Sequence, residues 1–327
     1  MIMKRFILLL AGAAALLSSC APEYANRAEA IAAQIHDPYS KYVVVVCHRG
    51  DWRNWPENSI PAIESIIAMG ADMMELDLKM TSDSVLVLSH DATVSRCTNF
   101  RSVFKGEPGK SPKVSDLTYA EIQQLNLLRA HGAAVIDTLK MPTLEEALLC
   151  CKDRICVNVD QGYEFYDQVL EISERLGTTG QILIKGKRPI EVVAEHEAKY
   201  EHNMMYMPIV DIQKPAGVSL FNSYIDGGVV PLAYEVCWQN NDDGAFDDAC
   251  LKIIDQGSKV WVNTIWAQLC GGDGNDDDAA FQASDPSEVY DQYLSNGVSM
   301  IQTDRPSLLI KYLKKKGRHT LPPFVSR

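Results

Sequence analysis

The segment Tyr42-Val-Val-Val-Val-Cys47-His48-Arg49-Gly50 decides between the two folds that the sequence allows. Its first six residues are apolar and mostly β-branched, which predicts a buried strand. A helical pattern over 59–69, ended by Gly70, completes a strand–helix unit. In an open doubly wound sheet this strand would lead into a glycine-rich phosphate loop, whereas here it leads into His48-Arg49-Gly50. The segment therefore favours a closed barrel.

The same alternation of strands and helices continues to the C-terminus. We predict eight strands, beginning near residues 42, 73, 155, 181, 204, 229, 259 and 298, and most of them precede a helical pattern. Eight consecutive strand–helix units imply parallel strands and a (β/α)8 TIM barrel, an α/β fold of roughly 250 residues. We expect the barrel over 41–320, with a small insertion after the second strand region, over about 91–142, above one mouth of the barrel.

The N-terminus has the pattern of an export signal. A basic start is followed by the apolar run Phe6–Leu17, which as a helix would rise about 18 Å, too short for the roughly 30 Å core of a bilayer. Leu17-Ser-Ser-Cys20 resembles the bacterial lipobox, although a plain cleaved signal is an alternative. We expect a signal peptide over 1–19, a lipid on Cys20, a tether over 20–40, and a place in the cell envelope, in the periplasm or at the outer membrane.

Charge and cysteine content exclude several classes of function. The 327 residues include 31 Lys and Arg against 43 Asp and Glu, a net charge of −12. Without a basic run, such a chain is repelled by phosphate backbones, which argues against a nucleic-acid partner. We interpret the acidic groups near Asp276–Asp278 as solvated loop residues. The nine cysteines form no Cys-x-x-Cys pair, which argues against structural zinc. The sequence indicates no protein partner and leaves disulfides and oligomeric state open.

Polar residues concentrate at the carboxyl ends of the predicted strands, where TIM barrels place their chemistry. Glu75 and Asp77 project to the same side of one strand, and two carboxylates inside a barrel need a cation or a proton. The other strand ends carry two histidines, one arginine, one lysine and further acids: His48-Arg49, His90-Asp91, Asp160, Lys185, Glu235 and Asp304. Together they predict a site for an anion and a hard cation. Simpler interpretations are ion pairs of Glu75 and Asp77 with Lys185 and Arg49, and Asp304 as the cap of the last helix.

Several of these residues belong to motifs that occur in one fixed order. The motifs are His48-Arg49-Gly50, Pro56-Glu57-Asn58-Ser59, Glu75-Leu-Asp77, Thr81-Ser-Asp83 and His90-Asp91. Their order and spacing resemble the glycerophosphodiester phosphodiesterase family. The resemblance continues through 96–98, 141–146 and 303–306 and covers about residues 43–312. It implies a TIM barrel with a small insertion, in agreement with the strand count.

The resemblance also implies an activity and a set of site residues. The implied reaction is the hydrolysis of glycerophosphodiesters, which are small-molecule substrates, to sn-glycerol 3-phosphate and an alcohol, assisted by one divalent cation. By position in the motifs, Glu75, Asp77 and Asp160 bind the metal, His48 and His90 are the acid/base pair, and Arg49 holds phosphate oxygens. An oxygen-only ligand set suits Mg²⁺ or Ca²⁺, and the choice between them stays open, as does which histidine is the base.

The third strand departs from the family pattern. Many relatives read Asn-x-Glu-x-Lys there, whereas this chain reads Asn158-Val-Asp160-Gln-Gly162. We expect Lys185, one strand further along, to replace the missing lysine as a substrate-binding residue. Two alternative functions stay open: phospholipase-like cleavage of phosphoinositol or lysophospholipid headgroups, and a lipid-anchored protein that binds phosphodiesters without cleaving them.

Overall fold

The computed structural model describes residues 24–103, 111–129, 138–228, 230–241 and 244–325. The expected signal peptide over 1–19 and Cys20 lie outside the described residues. Among the described residues, none of the helices has the length and apolar character needed to cross a membrane.

Eight parallel strands close into a barrel, which confirms the predicted fold. The strands of the described residues are β1 (Val44–His48), β2 (Met73–Met80), β3 (Leu86–Leu88), β4 (Cys156–Asp160), β5 (Ile182–Gly186), β6 (Met205–Asp211), β7 (Ala233–Cys237), β8 (Lys259–Asn263) and β9 (Met300–Thr303). All except β3 are parallel neighbours in chain order, and β9 pairs with β1 to close the ring. The short β3 runs antiparallel to the end of β2 and forms a hairpin with it.

Helices surround the barrel. The α-helices of the described residues are α1 (Arg27–His36), α2 (Ile60–Met69), α3 (Phe100–Val103), α4 (Tyr119–Ile122), α5 (Leu144–Cys151), α6 (Tyr166–Leu176), α7 (Ile190–Glu197), α8 (Pro215–Asp226), α9 (Ala245–Asp255), α10 (Asp277–Gln282), α11 (Ser287–Ser295) and α12 (Pro306–Lys315). Local sequence sets their ends. Ser59 caps α2 by accepting a hydrogen bond from the backbone N–H of Ala62, and Gly70 ends it with a left-handed φ of 89°.

The lower half of the barrel interior is apolar and is closed by α1. Alternate strand residues meet there, and Ile31 and Ile35 of α1 pack against them; the strand residues are Val44, Val46, Met73, Cys156, Leu183, Met205, Met207, Ala233, Trp261 and Met300. Arg27 holds α1 in place by donating to the carbonyl of Ala71 at 2.7 Å and to Asp72 Oδ1 at 2.9 Å. Part of the segment 20–40, which we expected to be a tether, is therefore a packed helix. Its buried positions 28, 31 and 35 have helical spacing, the signal that would have predicted it.

The described part of the predicted insertion, 91–103, 111–129 and 138–142, forms a small hydrophobic cluster of its own. Buried residues of this segment pack against Val87 of β3: Val94, Phe100, Val114, Ile122, Leu125, Leu127 and Met141. The cluster follows directly after His90, so it lies beside the end of the barrel that carries the polar strand ends.

Candidate active site

All seven residues predicted for the site line one cavity of about 220 Å³ at the carboxyl ends of the strands: His48, Arg49, Glu75, Asp77, His90, Asp160 and Lys185. The parallel register explains six of them, because residues of neighbouring parallel strands that lie near the strand ends meet at the same edge of the sheet. His90 instead follows β3, which is antiparallel to β2. In the pairing of β2 with β4, Asp77 lies opposite Asp160 and Glu75 opposite Asn158. The upper half of the barrel interior is thus polar, whereas the lower half is apolar.

Three carboxylates form the centre of the cavity. Glu75, Asp77 and Asp160 each offer an oxygen, and these oxygens lie within 4.8 Å of one another. Burial raises the pKa of Glu75 well above its usual range, and the charges of Asp77 and Asp160 raise it further. Burial alone would also raise the pKa of Asp160, but the ammonium of Lys185 outweighs burial and lowers it. At least one carboxyl group of this centre is therefore stabilised by binding a proton or by a nearby cation.

The donor set fits a hard divalent cation. Four carboxylates line this cavity, three of them buried and that of Asp160 partly exposed, together with three cationic side chains: Glu75, Asp77, Glu235 and Asp160 against Arg49, Lys185 and Lys187. The side-chain oxygen of Asn158, opposite Glu75, is buried without a hydrogen-bond partner among the described residues. Carboxylate and amide oxygens without sulfur or imidazole are the ligands that Mg²⁺ and Ca²⁺ prefer.

His48 is held in one orientation by Asp304. The His48 Nδ1 lies 2.8 Å from Asp304 Oδ1, which also accepts the indole N–H of Trp52 at 2.6 Å. Since an indole N–H can only donate, Asp304 Oδ1 is an acceptor, so the Nδ1–H of His48 donates to it and Nε2 is left for the cavity. Our expectation that Asp304 caps the last helix is wrong: the residue before α12 is Arg305, and no side chain caps that end.

His90 is held in a similar way but is more exposed. Its Nδ1 lies 2.8 Å from Asp91 Oδ1, and Arg96 donates to Asp91 at 2.6 Å and to Glu57 at 2.7 Å. The bond from Arg96 holds the pKa of Asp91 at about 2, against the effect of burial. Glu57 also accepts a hydrogen bond from Arg49 at 3.2 Å. A continuous chain of ion pairs therefore links the second histidine to the arginine of the first motif.

Arg49 contacts the acid centre through its backbone and its side chain. The backbone N–H donates to Glu75 Oε2 at 2.8 Å, with Arg49 in the left-handed region at φ 54°. The side-chain Nε lies 3.4 Å from Asp77 Oδ2, and it is buried without a hydrogen-bond partner among the described residues. Asn58 supports the same carboxylate by donating to Asp77 Oδ2 at 2.9 Å. Sequence reasoning gave Asn58 no role, although it belongs to the second motif.

Lys185 lies inside the barrel, only 1% exposed. Its Nζ is 2.8 Å from Glu235 Oε2 and 3.1 Å from Asp160 Oδ1, and it lies 4.9 Å from the ring centre of Trp261. Burial lowers the pKa of Lys185, but the neighbouring carboxylates outweigh it and raise the pKa, so the side chain is charged. The sequence left open an ion pair of Lys185 with Glu75 or Asp77. In the structure Lys185 pairs with Asp160 and Glu235 instead. Its role towards substrate stays a prediction.

Close packing explains the glycine at position 162, where the sequence departs from the family pattern. The chain turns out of β4 at Gln161, which has a left-handed φ of 45°. A Cβ on Gly162 would overlap the side chain of Val159. With this backbone, a larger residue at position 162, such as the lysine of the family pattern, would require a different turn.

Asp277 does not line the cavity, but it is a buried residue beside Asp304 that sequence reasoning missed. We expected Asp276–Asp278 to be solvated, and for Asp277 this is wrong, since it is 1% exposed. Its carboxylate accepts the backbone N–H of Asp304 at 2.6 Å and the hydroxyl of Thr303 at 2.8 Å. Burial raises the pKa of Asp277 to about 7, although these hydrogen bonds lower it. The local sequence gives no sign of this burial, because it depends on packing against β9.

Comparison with known proteins confirms the resemblance inferred from the motifs. Residues 48–207 match the model of the glycerophosphoryl diester phosphodiesterase family. Residues 206–313 match a second model, described as a domain of unknown function. The match to the glycerophosphoryl diester phosphodiesterase family thus covers the first part of the barrel, where both histidines and the three carboxylates lie.

Curated relatives are similar over a third to two fifths of the chain. A glycerophosphodiester phosphodiesterase of Caldanaerobacter subterraneus subsp. tengcongensis is 33% identical over 131 residues, which are 39% of this chain and 49% of that protein. Glycerophosphodiester phosphodiesterase 1 of Bos taurus is 36% identical over 110 residues, 33% of this chain and 30% of that protein. The chain therefore spans about half or less of the length of these relatives.

Solved structures are similar over almost the whole barrel. A glycerophosphoryl diester phosphodiesterase from Parabacteroides distasonis superposes with a TM-score of 0.68 at 19% identity, over 90% of this chain and 94% of that one. An Oleispira antarctica phosphodiesterase in complex with the product sn-glycerol-3-phosphate superposes with a TM-score of 0.58 at 16% identity, over 85% and 99%. At these identities the likeness shows the fold.

Proposed function

We propose that this chain, which carries a domain of the glycerophosphoryl diester phosphodiesterase family, is a metal-dependent enzyme that hydrolyses glycerophosphodiesters to sn-glycerol 3-phosphate and an alcohol. One observation carries the proposal. Three carboxylate oxygens within 4.8 Å of one another share a cavity with two histidines. Each of these histidines has its Nδ1 bound to an aspartate, so each can present Nε2 to a substrate.

Glu75, Asp77 and Asp160 would hold the cation, either Mg²⁺ or Ca²⁺. When bound, it supplies Lewis-acid stabilisation of the charge on the phosphoryl oxygens. The raised pKa of Glu75 supports this assignment, because burial and the charges of Asp77 and Asp160 disfavour its ionised form, and a bound cation would offset both effects.

The chain's own residues supply binding and proton transfer. Arg49, whose buried Nε lacks a hydrogen-bond partner among the described residues, would donate to phosphate oxygens. Lys185 would add positive charge beneath them. One histidine would accept the proton of the nucleophile, which is water or a neighbouring hydroxyl of the substrate, and the other would give a proton to the departing alkoxide. Attack by a substrate hydroxyl would form a cyclic phosphate that water then opens.

Glycerophosphocholine and a chelator test this proposal. We expect the purified protein to release sn-glycerol 3-phosphate with Mg²⁺ or Ca²⁺, and to lose this activity with a chelator. His48→Ala and His90→Ala should each lower turnover about 10²- to 10⁴-fold, while calorimetry shows that divalent-cation binding is kept. His202→Ala, at an exposed position outside the cavity, is the matched control. Cation binding without any hydrolysis would instead identify a phosphodiester-binding protein.

We also propose that the protein is exported and anchored to a membrane of the cell envelope by a lipid on Cys20. The basic start, the apolar run and the lipobox-like Leu17-Ser-Ser-Cys20 support this. In cells fed a labelled fatty acid, the protein should become labelled and Cys20→Ser should not. Equal labelling of both would contradict the anchor.

A further inference from the structure

The C-terminal segment 318–325 lies across the floor of the barrel, which is the end opposite the active-site cavity. The backbone N–H of Val43, which leads into the amino end of β1, donates to the carbonyl of Arg318 at 2.8 Å. The side chain of Leu321 packs against the apolar cluster in the lower half of the barrel interior. His48 lines the active-site cavity from the other end of β1, so the segment lies at the opposite end of the barrel from the proposed catalytic residues.

Tyr24, where the described residues begin, is held at the same end of the barrel. Its carbonyl accepts the backbone N–H of Val325 at 2.9 Å, and it forms a parallel bridge with Phe324. Cys20, the proposed site of the lipid, lies four positions earlier in the sequence. Four residues span at most about 14 Å when they are fully extended. A lipid on Cys20 would therefore keep this end of the barrel within that distance of the membrane.

Helix α12 shows how far the mouth of the barrel lies from the floor. The helix begins shortly after Asp304, which contacts His48 at the mouth, and it ends shortly before Arg318 on the floor. Its ten residues span about 15 Å, and the insertion beside the mouth adds to this distance. The link from Cys20 to Tyr24 would therefore be too short if the mouth faced the membrane.

Apolar groups are exposed at the floor. Tyr39, in the short connection between α1 and β1, is 89% exposed, and Val325, which is bonded to Tyr24, is 41% exposed. A tyrosine presents an apolar ring and a polar hydroxyl, the combination that is enriched where membranes meet water. The ring of Tyr39 is therefore suited to the headgroup layer of a membrane.

Cations without ion-pair partners accompany these apolar groups. Lys41 and Lys314 are exposed and Arg318 is partly exposed, and no carboxylate of the described residues lies within 4.0 Å of their charged groups. Arg318 Nε donates to the carbonyl of Lys41 at 2.6 Å, so these two residues are neighbours. Asp37, the nearest acid along the chain, accepts the backbone N–H of Tyr39 at 2.9 Å. Anionic lipid headgroups attract such cations, although the chain as a whole is acidic.

The floor patch consists of these exposed apolar and cationic side chains: Tyr39, Lys41, Lys314, Arg318 and Val325. Resting on the proposed lipid anchor, we propose that the floor patch binds the anionic headgroups of the membrane and that the mouth of the barrel points away from it. The ring of Tyr39 then lies among the headgroups, and the cations contact lipid phosphates. The enzyme takes its phosphodiester from the aqueous phase and not from the membrane that holds it.

Tryptophan quenching by a lipid with a nitroxide on its headgroup tests which end of the barrel meets the membrane. The native tryptophans are either buried or lie in loops at the carboxyl ends of β1 and β8: Trp238 and Trp261 are buried, and Trp52, Trp55 and Trp266 are in the loops. We therefore expect the lipidated wild type to be quenched little in vesicles that contain phosphatidylglycerol and this lipid. Tyr39→Trp adds a fluorophore at the floor, and its added emission should fall about twofold or more, because the anchor holds it near the headgroups.

Phe281→Trp is the matched control at the other end of the barrel. Phe281 is 60% exposed and lines a small cavity together with Asp304, which contacts His48 at the mouth. We expect its added emission to be quenched no more than the emission of the wild type. Circular dichroism establishes that both variants are folded.

Charge reversal tests the contact with anionic headgroups. In the Tyr39→Trp protein, Lys41→Glu together with Lys314→Glu should lower the quenching to the level found on neutral phosphatidylcholine vesicles, because each cation near an anionic surface contributes to attraction. Lys113→Glu together with Lys140→Glu reverses two exposed charges of the insertion instead, and it should leave the quenching unchanged.

The outcomes distinguish this inference from the proposals beside it. Quenching of Phe281→Trp that equals or exceeds that of Tyr39→Trp overturns the orientation, and so does the lack of any effect of the charge reversal on the floor. Mass spectrometry that finds no lipid on Cys20 overturns the anchor and the orientation together. Hydrolysis of glycerophosphocholine is measured on the same vesicles, and its absence overturns the proposed activity while the orientation stands.

Discussion

Replacement of Asp304 by Asn tests how the site holds His48. The wild-type carboxylate accepts hydrogen bonds from His48 Nδ1 at 2.8 Å and from Trp52 Nε1 at 2.6 Å. An asparagine has the same shape and keeps one oxygen for these two donors, but it removes the negative charge. The variant therefore changes the electrostatic support of His48 and little else.

The size of the effect follows from this loss of charge. A buried hydrogen bond to a charged group contributes about 1.5–3 kcal/mol. His48 is 6% and Asp304 7% exposed, so solvent screens this pair little. Because the carboxylate stabilises the positive charge that the imidazole carries during proton transfer, the loss falls on the transition state. At about 1.4 kcal/mol per tenfold, kcat should fall roughly 10- to 150-fold.

Steady-state kinetics with glycerophosphocholine checks this prediction. We expect kcat to fall while KM and the affinity for Mg²⁺ or Ca²⁺ stay close to those of the wild type, because Asp304 is not among the predicted metal ligands. Asp278→Asn is the matched control: Asp278 has a side chain 60% exposed and pairs with Arg305 at 2.7 Å, so it should have little effect. An unchanged kcat in a folded Asp304→Asn protein would refute the proposed role of this carboxylate.

Three further predictions concern stability. Lys185→Met leaves Asp160 and Glu235 without their cation, and the loss of one partner of a buried ion pair should cost about 3–5 kcal/mol in urea denaturation. Ile31→Ala, in the helix that closes the barrel, should cost about 2–5 kcal/mol in the same measurement. Burial raises the pKa of Asp277 to about 7, so the folded protein keeps a proton that the unfolded chain, with a pKa of about 3.9, releases. The free energy of unfolding should therefore fall between about pH 4 and pH 7, by up to roughly 1.4 kcal/mol per unit from this group, and Asp277→Asn should lack this contribution.

Each of these predictions has a control and an outcome that contradicts it. For Lys185→Met the control is Lys214→Met, because the exposed ion pair of Lys214 should contribute little to stability. Equal losses in the free energy of unfolding would mean that burial of the Lys185 ion pairs does not matter. For Ile31→Ala the control is Ala32→Gly on the same helix, and a loss below 1 kcal/mol at Ile31 would mean that α1 does not close the barrel. For Asp277 the comparison is between the free energies of unfolding of the wild type and of Asp277→Asn. A difference between them that does not change with pH would contradict the raised pKa of Asp277.

Much of the fold and of the site could be predicted from the sequence, because both follow from the short repeat with which side chains alternate along strands and helices. Alternate residues of a strand face one side, so Glu75 and Asp77 had to share a face. Parallel strands end at one edge of a barrel, so the residues that follow each strand, from His48 to Lys185, were expected in one cavity, and they line one. The ordered motifs added the family resemblance, which the match over residues 48–207 confirms.

The partners of these residues were decided by tertiary structure alone. Closure of the barrel pairs Cys47 with Thr303, and this brings Asp304 to His48 across 256 positions of sequence. Burial of Asp277 and the choice of Glu235 as a partner of Lys185 likewise come from packing between distant strands. Local sequence carries the period of a strand or helix, whereas hydrogen-bond partners depend on which distant segments pack together, and only the folded barrel fixes that.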